Sequence, residues 1–281
     1  VHIAHRYRHG QLMPQQTGIV AEFPLTLQVN GRELATLVAS SHELRFLVAG
    51  FLRLQGFVER IDDFDLLAVC EEFGVANVRI KKELPERLKP VLTSGCGTGI
   101  TFSLEQSSGA AVAAVPVSPE ALFRLMDELA RRADQYKSHG GIHSAAVGDL
   151  QGQLVLYAED IGRHNTLDRI AGEALFRQQD LSGMLLATSG RVSAEMALKG
   201  ARLGVACIAS RTSPTDMAVT ICRQAGITLI GYLRGEQFTV YSGVERLELP
   251  RRSPRLQRID AFFERAAQQS CPSPTQHQAA G

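Results

Sequence analysis

Cys96 stands in Leu92-Thr93-Ser94-Gly95-Cys96-Gly97-Thr98-Gly99, a turn with almost no side-chain bulk beside the sulfur. The two flanking glycines tolerate the positive φ angles of a protruding loop. A free cysteine is more often a small buried hydrophobe, but nothing around Cys96 reads as core. The chemistry that suits an open thiol is nucleophilic attack or the carriage of a sulfur atom, and both need thiolate character and access. The other cysteines have no such setting: Cys207 lies in an apolar run, Cys222 on a helical stretch and Cys271 in a polar tail. Five cysteines without a C-x-x-C pair make neither a disulfide framework nor a zinc ribbon. A reducing, cytoplasmic compartment is the default that follows.

Two further groups of residues could do chemistry. Arg191, Arg211 and Arg234 fall in Ser189-Gly190-Arg191, Ser210-Arg211-Thr212-Ser213 and Arg234-Gly235-Glu236. Arginine forks beside helix-end amides make an anion site, so a phosphate-bearing ligand is expected there. The chain has no G-x-x-x-x-G-K-[ST] and no G-x-G-x-x-G opening a helix, which excludes a P-loop ATPase and an ordinary dinucleotide site. The other group is Glu159-Asp160-Ile161-Gly162-Arg163-His164-Asn165, with His143 upstream. Capping alone would account for Asp160 and Asn165, but not for Arg163 and His164 beside them. His143, His164, Asp160 and Cys96 lack paired ligand spacing, so no metal site is expected. Service to a thiolate or a phosphate, by charge or by hydrogen bond, suits them better.

The elements that must position these residues are readable from pattern. Residues 18–82 form an amino-terminal α+β unit. Its strands flank an Asn30-Gly31 hairpin turn, and a helix opens with a capping box at Ser40 and Glu43. Residues 83–103 read as a linker carrying the Cys96 loop, and residues 1–17 as a loose leader. Ser118-Pro119-Glu120 starts a helix running to about Tyr136; strands at 142–148 and 153–158 and a helix from near His164 to Phe176 follow. Then come a strand (Gly183 to Thr188), a helix (Ser193 to Leu203), a strand (Val205 to Ser210), a helix (Pro214 to Ala225, capped by Ser213) and a strand (Ile227 to Leu233). That β-α-β-α-β order with short loops implies parallel strands and right-handed crossovers, hence an α/β class for residues 104–249. Ligands of open parallel sheets bind at the carboxyl ends of the strands, where the three arginine loops fall. Residues 250–281 read as a partly disordered tail.

Composition narrows the function. With 30 Lys plus Arg against 29 Asp plus Glu, the net charge of +1 argues against a nucleic-acid binder. No apolar run approaches the ~18 residues of a membrane span. The opening Val1 to Arg8 has no apolar stretch of the secretory kind; without an initiator Met, the start of the chain is expected upstream.

Taken together, these motifs resemble the FdhD family of formate dehydrogenase accessory sulfurtransferases. The resemblance rests on Ala158 to Asp168, on Ser189-Gly190-Arg191-Val192-Ser193-Ala194-Glu195-Met196, on Tyr232-Leu233-Arg234-Gly235 and on Phe238 to Tyr241. Phe23-Pro24-Leu25, Val29-Asn30-Gly31 and Gly50-Phe51-Leu52 resemble the family's amino-terminal part. It implies a larger domain of cytidine-deaminase-like fold, although the deaminase zinc signature is absent. It implies a carrier that takes persulfide sulfur from a cysteine desulfurase. The sulfur would pass to the bis-molybdopterin guanine dinucleotide cofactor, bound as substrate, before that cofactor enters formate dehydrogenase. The family's persulfide cysteine falls on Cys96. Its cofactor-contacting segment falls on Tyr232, Leu233, Arg234, Gly235, Glu236 and Gln237, and the resemblance also suggests a homodimer. Many members carry C-x-x-C in the cysteine loop; here Gly99 takes the second position, so an internal disulfide is unavailable and a single carrier thiol remains. Two other readings stand beside this one: a chaperone that delivers the molybdenum cofactor without moving sulfur, and a deaminase-like hydrolase, which would need a bound metal.

Overall fold

The computed structural model describes residues 2–85, 90–92, 100–102 and 115–249. The chain opens with β1 (His2–Arg8) and β2 (Gln11–Thr17), antiparallel about a His9-Gly10 turn in which both residues have positive φ. The stretch read as a loose leader is thus a regular hairpin. The signal was a two-residue X-Gly turn between short runs of alternating character.

β3 (Phe23–Val29) and β4 (Arg32–Ala39) flank the Asn30-Gly31 turn as expected, with φ of 51° and 78° at the two turn residues. α1 (Leu44–Leu54) follows, then β5 (Phe64–Cys70) and β6 (Val75–Ile80), giving a four-stranded sheet in the order β4-β3-β6-β5. Leu44, Leu47, Val48, Phe51 and Leu52 of α1 pack on Leu25, Leu27, Leu37 and Val78 of this sheet. The capping box does not form: the N-cap of α1 is Glu43, left-handed at φ 44°, with no side-chain cap hydrogen bond. Ser40 is engaged elsewhere. Its N–H donates to Asp160 and its hydroxyl accepts from the Ile161 N–H, so tertiary bonds take the group that local pattern had assigned to the helix.

The segment 83–103 read as a linker contains a short antiparallel pair, β7 (Pro90–Leu92) and β8 (Ile100–Phe102), with Leu92 opposite Ile100. α2 (Pro119–Arg132) and α3 (Asp134–His139) split the single helix expected there, and Ser118 caps α2 through the Ala121 N–H. β9 (His143–Gly148), β10 (Leu154–Asp160), α4 (Arg163–Phe176), β11 (Leu185–Thr188), α5 (Ala194–Leu203), β12 (Cys207–Ser210), α6 (Asp216–Ala225), β13 (Thr228–Arg234) and β14 (Gln237–Ser242) complete the described elements. The second sheet has the order β10-β9-β11-β12-β13-β14. Only β11, β12 and β13 are mutually parallel, and antiparallel strands lie on both sides of them. One face buries Leu122, Leu125 and Leu129 of α2; the other buries α4, α5 and α6. The α6 cap is Thr215, whose hydroxyl accepts from the Ala218 N–H, and not Ser213. Residues 213–215 instead bridge back to Val192, through Ser213 O and Thr215 N.

All of these elements lie within one compact unit, Val1–Leu247. The two sheets meet through α1 and α4, whose backbones touch at a pair of glycines. A Cβ on Gly50 would sit 1.6 Å from Asp168 O, and one on Gly172 would sit 1.9 Å from Phe46 O. Any larger residue forces these helices apart.

Candidate functional site at the carboxyl ends of the parallel strands

The loops after β11, β12 and β13 are stitched side by side in strand order. Ser210 Oγ donates to Gly190 O at 2.7 Å and the Arg211 N–H to Thr188 O at 3.2 Å, which ties the first loop to the second. The Tyr232 N–H donates to Thr212 O at 3.0 Å and Arg234 Nε to Arg211 O at 3.0 Å, which ties the second to the third. Ser210 and Thr212 also share a hydroxyl contact, and the Thr212 N–H donates to Ser210 Oγ. Short hydroxyls thus satisfy the turning backbone and leave the long side chains to solvent. Arg191, Arg211 and Arg234 are all exposed there. Three cations on one rigid edge are an arrangement that suits a polyanion.

The third loop carries backbone strain. Tyr232 has a φ of 54° within β13, at a bulge where Gly231 faces Thr239 and Arg234 faces Gln237. A non-glycine residue in that region costs on the order of 1–3 kcal/mol and persists only where its surroundings enforce it. The consequence is that Leu233 turns fully into the core while Tyr232 stands 48 % exposed beside Arg234. Gly235, at φ 56°, with Glu236 and Gln237 closes the turn into β14, all three exposed.

The second group of expected residues divides. His143 reaches the edge: its Nδ1 lies 3.5 Å from Ser189 Oγ, which accepts from the Ser144 N–H. A Cβ on Gly190 would meet Arg163 Cβ at 3.0 Å and His143 Nδ1 at 3.2 Å, so Arg163 and His143 flank this loop from below. Burial and the Arg163 charge lower the His143 pKa. His164 lies deeper. Its Nε2 is 3.1 Å from Ser193 Oγ, the cap of α5, and 3.5 Å from Glu195 Oε2. Burial drives its pKa down to about 4, with Lys199, Arg163 and His143 adding to the effect and Glu195 opposing it. The imidazole is therefore neutral near pH 7, and its contact with Glu195 is not an ion pair. His164 is thus a neutral hydrogen-bonding partner of Ser193.

Asp160 does not face the edge. It is fully buried; Oδ1 accepts from the Gly162 N–H and Asn165 Nδ2, each at 2.8 Å, and Oδ2 from Arg169 Nε at 2.8 Å and the Ser40 N–H at 3.2 Å. Arg169 also donates to the carbonyls of Ser40 and His42. This cluster fastens the β10–α4 junction to the β4–α1 segment. Ser193 caps α5 as its position at the helix start predicts, and residues the sequence reading left without a role complete the picture: Ser189 and Ser210 order the loops. Lys199, buried between Asp168 at 2.8 Å and Glu195 at 3.3 Å, locks α5 to α4. Their hydroxyl and charged types were visible, but their partners lie tens of residues away.

Cys96 and Gly99 fall in 93–99, outside the described residues, as does Cys271. Cys96 is the middle residue of the connection between β7 and β8. Cys207 and Cys222 are packing residues as expected, both fully buried, and burial pushes the Cys222 thiol up to about 12. Cys70 is exposed on β5. No group of three or more His, Cys, Asp or Glu side chains suited to a metal occurs among the described residues. Nor is any helix among them long and apolar enough to cross a membrane.

Residues 20–248 match the FdhD/NarQ family. The chain is 35 % identical over 252 residues to the sulfur carrier protein FdhD of Bacillus pumilus, covering 87 % of this chain and 96 % of that one. It is 34 % identical over 251 residues to the protein of the same name from Bacillus subtilis, with 86 % and 95 % covered. A crystal structure of a candidate formate dehydrogenase accessory protein from Desulfotalea psychrophila superposes with a TM-score of 0.73 at 24 % identity, over 88 % of this chain and 97 % of that one, and shares the fold. The chain belongs to the FdhD/NarQ family.

Proposed function

We propose that this protein is a sulfur carrier that serves formate dehydrogenase, with Cys96 as the carrying thiol and the arginine edge as the seat of the cofactor to be sulfurated. The observation that carries the second half is the convergence of Arg191, Arg211 and Arg234 on one stitched edge beside the strained, outward-facing Tyr232. The first half is supported by the sulfur-carrier names of the relatives and by the glycine-framed setting of Cys96.

In this reading the Cys96 thiolate attacks the outer sulfur of a cysteine desulfurase persulfide. A new S–S bond forms on Cys96, the donor's S–S bond breaks, and the desulfurase thiolate leaves. The sulfur then passes to the bis-molybdopterin guanine dinucleotide cofactor, held as substrate by its phosphates at Arg191, Arg211 and Arg234 and by the segment Tyr232 to Gln237. Delivery as sulfide consumes two electrons, which an external thiol reductant supplies because Gly99 leaves no second loop cysteine. Arg163 and His143 act beneath the first loop, and neutral His164 holds Ser193 at the start of α5. We read the sheet as cytidine-deaminase-like, with parallel β11-β12-β13 flanked by β9 and β10, but without deaminase metal ligands.

The test is intact-protein mass spectrometry after incubation with a cysteine desulfurase and cysteine. Wild type is expected to gain one sulfur, about 32 Da, and Cys96→Ala none. A gain in neither protein transfers the assignment to a chaperone that delivers the cofactor without moving sulfur.

A further inference from the structure

We propose that the cleft between the ends of α1 and α4 is a binding site for a small α-amino acid in its zwitterionic form. The cleft holds about 380 Å³, at the small end of ligand sites. Its walls are Arg53 near the end of α1, the turn from Glu59 to Asp62, and the segment from Ala174 to Asp180 that closes α4. α4 starts beneath the first arginine loop, where Arg163 flanks Gly190. It runs 14 residues, about 21 Å at 1.5 Å per residue, before it reaches this cleft. The site is therefore apart from the arginine edge and does not rest on the reading of that edge.

Charge chooses the ligand. Arg53 and Arg60 line this small space with Glu59, Asp62 and Asp180, yet none of the five enters an ion pair among the described residues. The guanidinium of Arg53 has five N–H donors, and among the described residues it makes one hydrogen bond, from Nη1 to Ala171 O at 3.1 Å. Burial lowers the Arg53 pKa, and the charge of Asp180 opposes this only in part. Asp180 is itself held by the Ser182 N–H, which donates to Oδ1 at 2.9 Å. A lone anion would meet three carboxylates here, and a lone cation would leave Arg53 unanswered. A ligand with both charges on one carbon answers both, its carboxylate toward Arg53 and its ammonium toward Asp180. The floor is apolar, with Ala174 and Leu175 buried and Ile61 half-buried, so the ligand's own side chain is short and uncharged. Gln178 adds an amide at the rim. It has a φ of 53° just past the end of α4, where its N–H donates to Leu175 O and that of Gln179 to Ala174 O. That helix ending ordinarily takes Gly or Asn at the left-handed position, and a long polar side chain kept in a strained place marks a site that uses it.

Calorimetric titration of the full chain with L-alanine, L-serine and L-valine tests this. At least one of them is expected to bind. The methyl ester of that amino acid, which lacks the carboxylate, and its N-acetyl derivative, which lacks the ammonium, should each bind roughly tenfold more weakly or worse. Arg53→Gln and, separately, Asp180→Asn should lose affinity to a similar degree. Melting temperatures show that the variants are folded; if Arg53→Gln fails to fold for want of its bond to Ala171, Asp180→Asn, which can still accept from Ser182, carries the test alone. Saturating GDP should leave the affinity unchanged. Binding of none of the three amino acids, derivatives that bind as well as the parent, or an Asp180→Asn protein that binds as wild type would each overturn the proposal. So would displacement by GDP, which would seat the amino acid at the arginine edge instead.

Discussion

The Asp160 cluster and the arginine edge were built from the same kinds of residues and treat charge in opposite ways. At Asp160, carboxylate, guanidinium, amide and backbone N–H close on one another in the protein interior, and both carboxylate oxygens of Asp160 accept hydrogen bonds from within the chain. At the edge, the backbone is satisfied by Ser210, Thr212 and neighbouring carbonyls, and Arg191, Arg211 and Arg234 are sent outward. Buried charge survives only when paired and hydrogen-bonded, so the first arrangement is joinery between the two sheets. The second keeps its charge at the surface, where a ligand can meet it. A charged motif in sequence therefore does not say by itself which of the two it is.

The sharpest way to break this contrast is to cut the joinery. Asp160→Ala leaves Arg169, only 2 % exposed, without its carboxylate. Removing one partner of such a pair costs about 3–5 kcal/mol. Chemical denaturation should show a loss of that size, and Asp160→Asn, which keeps the shape, should recover part of it. A variant as stable as wild type would show that the cluster does not hold the sheets together.

The next expected effect follows from His164. In the unfolded chain its imidazole takes a proton near pH 6.5, and in the fold only near 4. Between those values the unfolded state binds a proton that the folded state refuses, so the stabilisation is complete above 6.5 and is lost as pH falls toward 4. The shift corresponds to about 3 kcal/mol across that window. Melting temperature against pH should fall through it for wild type and fall less for His164→Gln, which can still hydrogen-bond Ser193. Parallel curves for the two proteins would mean that His164 is not the group kept neutral.

Legibility in the sequence followed the reach of the forces. Asn30-Gly31 and Ser193 behaved as their local chemistry predicts, because a positive-φ turn and a helix cap are settled within four residues. The β-α-β-α-β segment was legible for the same reason: its strands are short, apolar and regularly spaced. Ser40 and Ser213 were misread because tertiary bonds, to Asp160 and to Val192, outbid the local cap. β5 is a nearly continuous apolar run with no alternation to read, and β6 alternates only over the five residues Ala76 to Ile80, too short a stretch to have been assigned. The close approach of Gly50 and Gly172 was legible only as two glycines in helices; their contact belongs to the packing of α1 on α4. Of the site, the arginine loops were readable from topology, whereas the split between Asp160 as joinery and His143 with Arg163 as floor depended on which way each side chain turns from its strand or helix.

The arginine edge should be the place where stability and function separate most cleanly. Arg211 and Arg234 are exposed, so replacing either by alanine is expected to change stability by no more than about 0.5 kcal/mol. Each should nonetheless remove a charge-assisted hydrogen bond to a phosphate, worth about 1.5–3 kcal/mol or roughly 10- to 100-fold in Kd. Calorimetric titration with GDP, which carries the guanine and diphosphate of one half of the proposed cofactor, reads that loss directly. Arg234→Ala also removes the bond to Arg211 O, so it should weaken binding more than Arg211→Ala does. Arg234→Lys sharpens the comparison: it keeps the charge and loses the guanidinium fork, and recovery by lysine would assign the effect to charge rather than to geometry. If GDP binds Arg211→Ala and Arg234→Ala as it binds wild type, the outward arginines are ordinary solvated side chains and the difference between the two regions is one of exposure alone.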